Sequence, residues 1–367
     1  MANWTLFHVR GVPIRIHFTL LLAIPYFALV IASQIGPMAS LASIDSRLMR
    51  LPALVWGLLL SLGLFACVAL HELAHSLWAL RAGRKVRSIT LMLLGGVSDI
   101  DGEGHSEASI AFLGPLVSFA LGFFFYSLYQ NTMVSADLGF GFFYLAQLNL
   151  TIAVFNLLPA FPLDGGRLLR ALLAKRMTAE RATQIAVTLG KAFAVAFGVF
   201  GVLTFNLILI LIALFVYAGG TQELQVMRMR NALRDARAEE FMVPLNRSIA
   251  AATTIDQVLS DLLHRKDLWV AVTHSSGKFL GVAELRTLLT IPKERRSSIP
   301  VGMLTRHEMP HLKREDSGSK VLEEMLRDGP YVAIVNGDGV LEGVIDRDSL
   351  AQAIRLRQIT TDDRQAA

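Results

Sequence analysis

The chain has 367 residues, room for two or three domains, and a 53% hydrophobic fraction with a mean hydropathy of +0.49 excludes an ordinary soluble protein. The formal charge of +5 comes largely from Arg and Lys beside apolar runs, without interleaved aromatics. That pattern reflects membrane topology and argues against nucleic-acid binding. The lone cysteine, Cys67, excludes an internal disulfide and a cysteine-rich metal site.

Residues 1–17 are short and mixed, carry Arg10 and Arg15, and show no small-residue cleavage site, so no removable signal peptide is expected. A first span is predicted from Phe18 to Ile35, followed by a loop with Asp45, Arg47 and Arg50. The second span, from Leu51 to Leu80, contains His71, Glu72 and His75 within FACVALHELAHSLWAL. On a helix, positions i and i+4 share a face, so both imidazoles suit one tetrahedral Zn²⁺. The intervening carboxylate is placed to accept a proton from water. Ionisable groups are costly inside a span and rarely persist without a function. The competing role is a helix end whose polar residues face lipid headgroups.

Residues 88–99, SITLMLLGGVSD, are too short to cross a membrane as a helix and hold Gly95 and Gly96 side by side. A re-entrant strand or hairpin facing the site fits, since irregular backbone at that depth must line a cavity or be buried in protein. A surface connector with a glycine turn is the alternative. In DGEGHSE, His105 reads as a loop histidine. A third span runs from Ile110 to Tyr129, with a kink expected at Gly114-Pro115, and a fourth from Phe140 to Leu158. In NLLPAFPLDGGRLLR, Pro159 and Pro162 break the helix before Asp164. Asp164 is the leading candidate for a third ligand, ahead of Asp137 in a loop on the opposite side. An Asx turn capping the next helix is its competing role.

Residues 184–218 suit a hairpin of two further spans. With six spans, Arg10 and Arg15, RAGRK, Arg181 and Arg228 to Arg234 fall on one side, which places both termini in the cytoplasm of a multi-pass cell (inner) membrane protein. Arg47 and Arg50 are exceptions. The histidines and Asp164 then meet near the cytoplasmic ends of the second and fourth spans. Beyond residue 236 a helix-strand-strand-helix order occurs twice, in DQVLSDLL, LWVAVTH, SSGKFLGVAEL, LRTLL and in SKVLEEMLRDG, YVAIVNGDG, VLEGVIDRDSL, AQAIRL. The repeat indicates a paired regulatory module, with NGDG as a hairpin signal. The expected fold is a polytopic α-helical membrane domain (about six transmembrane helices and a short re-entrant β element) followed by an α/β module. Its boundaries are 1–220, a linker at 221–240, and repeats at 241–296 and 297–360.

HELAH at 71–75, LLGGVSD at 93–99, AFLGPLVS at 111–118 and NLLPAFPLDGGR at 156–167 resemble the site-2 protease family of intramembrane zinc metalloproteases. The branch most similar is prokaryotic, with a C-terminal tandem cystathionine-beta-synthase (CBS) module. The resemblance implies His71, His75 and Asp164 as ligands of one Zn²⁺, Glu72 as general base and Asn156 as a polar residue near the reaction centre. It also implies that the strand at 89–97 pairs with unwound transmembrane substrate, Gly95 and Gly96 letting the two backbones approach. CBS modules often bind adenine nucleotides. Here Gly281 is followed by Glu284 and Thr287, and Gly343 by Asp346 and Ser349. Carboxylates there repel phosphates, which leaves nucleotide binding open beside a homodimer contact or a substrate gate.

The activity implied is cleavage of a transmembrane or membrane-adjacent segment of a signalling protein, such as an anti-sigma factor. The rival from another class is a metal or ion transporter gated by the CBS pair, which predicts metal flux without proteolysis and needs no Glu72. A catalytically silent scaffold has no reason to keep three ligands and a base.

Overall fold

The computed structural model describes residues 3–366 apart from 94, 101–105, 132–134, 245–247, 276–277, 307–308 and 337–339. His105 and residues 337–339 of the NGDG turn therefore lie outside the described residues. The chain divides into two compact units, Met1–Leu224 and Gln225–Ala367.

The first unit opens with a hairpin of β1 (Asn3–Val9) and β2 (Val12–His17), where a mixed segment was expected. Val12, Ile14 and Ile16 alternate with Pro13, Arg15 and His17, the period of a strand. Arg10 and Gly11, at φ 50° and 83°, form the two-residue turn between them. α1 (Phe18–Ser33) fills the expected first span, and α2 (Ile35–Leu41) extends beyond it after a bend of 57°. Pro37 lacks an N–H and cannot continue the ladder of α1.

Next come α3 (Ala53–Arg81), a hairpin of β3 (Val86–Met92) and β4 (Gly95–Ile100), and α4 (Glu107–Asn131). Pro115 sits inside α4, which is assigned as one continuous helix through it. α5 (Ala136–Asn156), the short α6 (Asp164–Leu173), α7 (Ala179–Leu203) and α8 (Leu207–Ala232) complete the set. Among the described residues, five helices are long and apolar enough to cross a membrane, or six if the bent pair counts as one. Their outer faces are apolar: Leu54, Phe123 and Leu203 are 60%, 66% and 71% exposed. Such surfaces require lipid.

The four strands form one sheet in the order β1-β2-β3-β4, with β2 and β3 parallel and the other pairs antiparallel. Val12, Ile14 and Ile89 pack with Leu73 and Leu80 of α3, which seats the sheet on the helix carrying the histidines. β4 is left as the edge strand, beside that helix.

The second unit contains β5 (Val243–Pro244), β6 (Ser248–Ala250), α9 (Ile255–Arg265), β7 (Trp269–Thr273), β8 (Phe279–Glu284), α10 (Leu285–Leu289) and α11 (Lys293–Arg296). It continues with β9 (His311–Leu312), α12 (Gly318–Asp328), β10 (Tyr331–Val335), β11 (Leu341–Asp346) and α13 (Arg347–Ala366). Its two sheets, β6-β7-β8 and β5-β11-β10-β9, share a core of Ala271, Val282, Ala333 and Val344. Each repeat shows the expected helix-strand-strand-helix order.

The boundary between the two units falls inside the segment expected to be a linker, 221–240. α8 stays helical to Ala232, and Leu233, Ala236, Ala238 and Phe241 are buried in the core of the second repeat. Its charged residues, Arg234, Asp235, Arg237 and Glu239, gave it a polar look, but its apolar positions turn inward. β5, within the range assigned to the first repeat, likewise pairs with β11 of the second.

Candidate metal centre

His71 and His75 lie one turn apart on α3 and are 3% and 5% exposed. Asp164 is the first residue of α6, and Leu163 holds the N-cap position, so Asp164 is not the Asx cap of that helix. Its Oδ2 stands 3.1 Å from Nε2 of both His71 and His75, and the two Nε2 atoms are 3.2 Å apart. Four tetrahedral bonds of about 2.0–2.1 Å would hold ligand atoms roughly 3.3 Å apart. The spacing fits zinc, as does the donor set of two imidazole nitrogens and one carboxylate oxygen. Among the described residues this is the one group of potential ligands that draws together in this way.

The rest of the shell points the same way. His71 Nδ1 lies 2.9 Å from Ser118 Oγ, and His75 Nδ1 lies 2.7 Å from the Ile110 carbonyl. With both Nδ1 atoms committed, both Nε2 atoms are left to face Asp164, the usual arrangement of ligating histidines. Ile110, Gly114 and Ser118 form an i, i+4, i+8 stripe on α4. A Cβ on Gly114 would lie 2.1 Å from His75 Nε2 and 2.6 Å from His71 Nε2. Only glycine lets α4 come this close.

Glu72 is turned toward β4. Its Oε2 accepts a hydrogen bond from Ser98 Oγ at 2.7 Å, and Ser76 Oγ donates to Ser98 Oγ at 3.2 Å. A Cβ on Gly96 would lie 2.3 Å from Glu72 Cγ. Gly96 thus makes room for the Glu72 side chain. Gly95, at φ 126°, opens the strand in a backbone conformation that side chains disfavour. Asn156 ends α5, and its amide donates to the Ile152 carbonyl at 3.0 Å, within its own helix. Sequence reasoning missed Ser98, Ser118 and the stripe on α4. Its spacing is helical, but nothing in the sequence says that this face of α4 meets the histidines.

In the second unit, Trp269 Nε1 donates to Asp346 Oδ2 at 2.8 Å, and the Trp269 and Tyr331 rings meet edge-on at 6.0 Å. Asp346 Oδ1 also accepts from the Ser349 backbone N–H at 2.7 Å, capping α13. Burial, with Glu284 and Asp346 nearby, pushes the Tyr331 phenol up to about 12. Arg306 opposes these carboxylates at the phenol, and Asp346 is held by both Trp269 and Ser349.

The model of peptidase family M50 matches residues 59–136 and 127–197. A zinc metalloprotease of Methanocaldococcus jannaschii is 32% identical over 356 residues, which cover 96% of this chain and 96% of that protein. The chain belongs to peptidase family M50. A solved site-2 protease from Methanocaldococcus jannaschii is 35% identical, covering 61% of this chain and 95% of that one with a TM-score of 0.44. The CBS domain of a bacterial CNNM/CorC-family Mg²⁺ transporter is 19% identical, covering 36% of this chain and 83% of that one with a TM-score of 0.32. The peptidase is accordingly a multi-pass membrane protein and a zinc metalloprotease, and its C-terminal unit is an α/β module built of two helix-strand-strand-helix repeats.

Proposed function

We propose that this intramembrane peptidase cuts a transmembrane or membrane-adjacent segment of a signalling protein, with His71, His75 and Asp164 holding the zinc. The observation that carries the reading is the convergence of three donor atoms from α3 and α6 at 3.1–3.2 Å. Zinc in such a site lowers the pKa of bound water to about 7 and polarises a carbonyl. Glu72 accepts the proton from water and returns it to the leaving amine. A substrate helix has its carbonyls hydrogen-bonded and must unwind before attack. The free edge of β4 offers it a strand to pair with, which replaces the bonds it loses.

The distribution of Arg supports an inner-membrane enzyme with both termini and the CBS pair in the cytoplasm. The CBS pair regulates as a gate or dimer contact, the carboxylates of Glu284 and Asp346 standing where a phosphate would have to approach. The decisive test is Glu72→Gln in purified protein. Retained zinc at one per chain with cleavage of a model transmembrane substrate reduced by 10²-fold or more is expected. Full cleavage by that variant would overturn the reading.

A further inference from the structure

Arg170 is a buried cation to which the chemistry above assigns no task. It lies on α6, the ten-residue helix that begins with Asp164, and is 7% exposed. One arm of its guanidinium pairs with Glu107, in the first turn of α4. The other donates from Nη1 to Glu223 Oε1 on α8 at 3.1 Å. Its guanidinium carbon stands 5.3 Å from the centre of the Phe161 ring, in the turn that leads into Asp164. A buried charge is tolerated only when paired, and a planar fork fixes direction as well as distance.

α8 grips the same turn at neighbouring points. A Cβ on Gly219 would lie 2.6 Å from Pro162 Cγ, so the helix closes directly on that ring. Leu224 packs in the cluster of Phe161, Ala186 and Val187. Positions 219 and 223, four residues apart, share one helix face. α6 is short, and Arg170 sits roughly 9 Å along its axis from Asp164. Fixing the guanidinium between α4 and α8 therefore fixes where the Asp164 carboxylate points.

We propose that Arg170 is a positioning residue for the zinc centre, clamping α6 between Glu107 and Glu223 so that Asp164 meets the two histidines. The inference rests on the ligand set of the preceding section. Zinc affinity, measured by chelator competition on the full-length protein in detergent, tests it in Arg170→Gln, Arg170→Lys and Glu223→Gln, with His71→Ala as reference. Arg170→Gln should bind zinc roughly 10- to 100-fold more weakly. Glu223→Gln, which leaves the cation paired with Glu107, should lose several-fold, and Arg170→Lys should recover part of the loss. The d–d band of the cobalt-substituted variants should shift, which a role confined to general stability would not produce. Should Arg170→Gln fail to fold, Glu223→Gln and Arg170→Lys carry the test. Wild-type affinity and an unchanged cobalt spectrum in the folded variants, with zinc lost in His71→Ala, would overturn the clamp alone. Zinc retained in His71→Ala would overturn the ligand set and the clamp with it.

Discussion

Ser98 Oγ donates to Glu72 Oε2 at 2.7 Å, which ties the proposed proton acceptor to the strand proposed to receive the substrate. Hydrogen bonds to charged groups are worth about 1.5–3 kcal/mol, or roughly 10- to 100-fold in rate if the bond persists in the transition state. Ser98→Ala should therefore lower kcat/KM by that range with zinc content unchanged. Metal analysis beside a cleavage assay checks both halves, and an unaltered rate would remove Ser98 from the chemistry.

Gly96 has a steric reason to be glycine. Its missing Cβ leaves space for Glu72 Cγ, which would otherwise be 2.3 Å away. Gly96→Ala must displace the Glu72 side chain near its root, where it cannot simply swing aside. At least a tenfold loss of kcat is expected, with one zinc per chain retained.

Gly114→Ala makes the opposite prediction. The added methyl would collide with the Nε2 atoms of His71 and His75. Zinc should be lost, and with it all activity, while the zinc-free protein keeps its helical circular-dichroism spectrum. Zinc bound at wild-type affinity would show that α4 can retreat from the centre.

Ser118 is fully buried against His71 Nδ1. Partners of this kind typically contribute 10- to 100-fold to metal affinity. Ser118→Ala should weaken zinc binding by that amount. Ser61→Ala, at an equally buried serine whose hydroxyl donates to the Ile24 carbonyl, should leave it unchanged.

The second unit offers a pH test. The Tyr331 phenol is raised from 10 to about 12 by burial and by Glu284 and Asp346. A folded-state pKa above the unfolded one means that stability is fully present below pH 10 and is lost as the pH rises through about 12. Alkaline melting followed by Trp269 fluorescence should show that loss, and Tyr331→Phe should show less of it. Identical profiles would contradict the assignment.

What the sequence revealed and what it concealed divide along one line. The pair His71 and His75 was legible because helical spacing is local, and Asp164 because few carboxylates lie in the apolar half. Ser118 was not, since it meets His71 across 47 residues and nothing local marks a hydroxyl that faces another helix. Leu233, Ala236 and Ala238 were read as linker because the charges around them dominated the composition, although burial follows the apolar minority. The first hairpin was overlooked despite the alternation of Val12, Ile14 and Ile16, a signal too short to stand out beside a long apolar run.

That hairpin has a practical bearing. β2 pairs with β3, and β3 with β4, so β1 and β2 brace the sheet whose far side touches Glu72. Cutting the backbone in the turn between them would strip β1 from the sheet while leaving the group of His71, His75 and Asp164 whole. A nick there is expected to slow cleavage with zinc still bound.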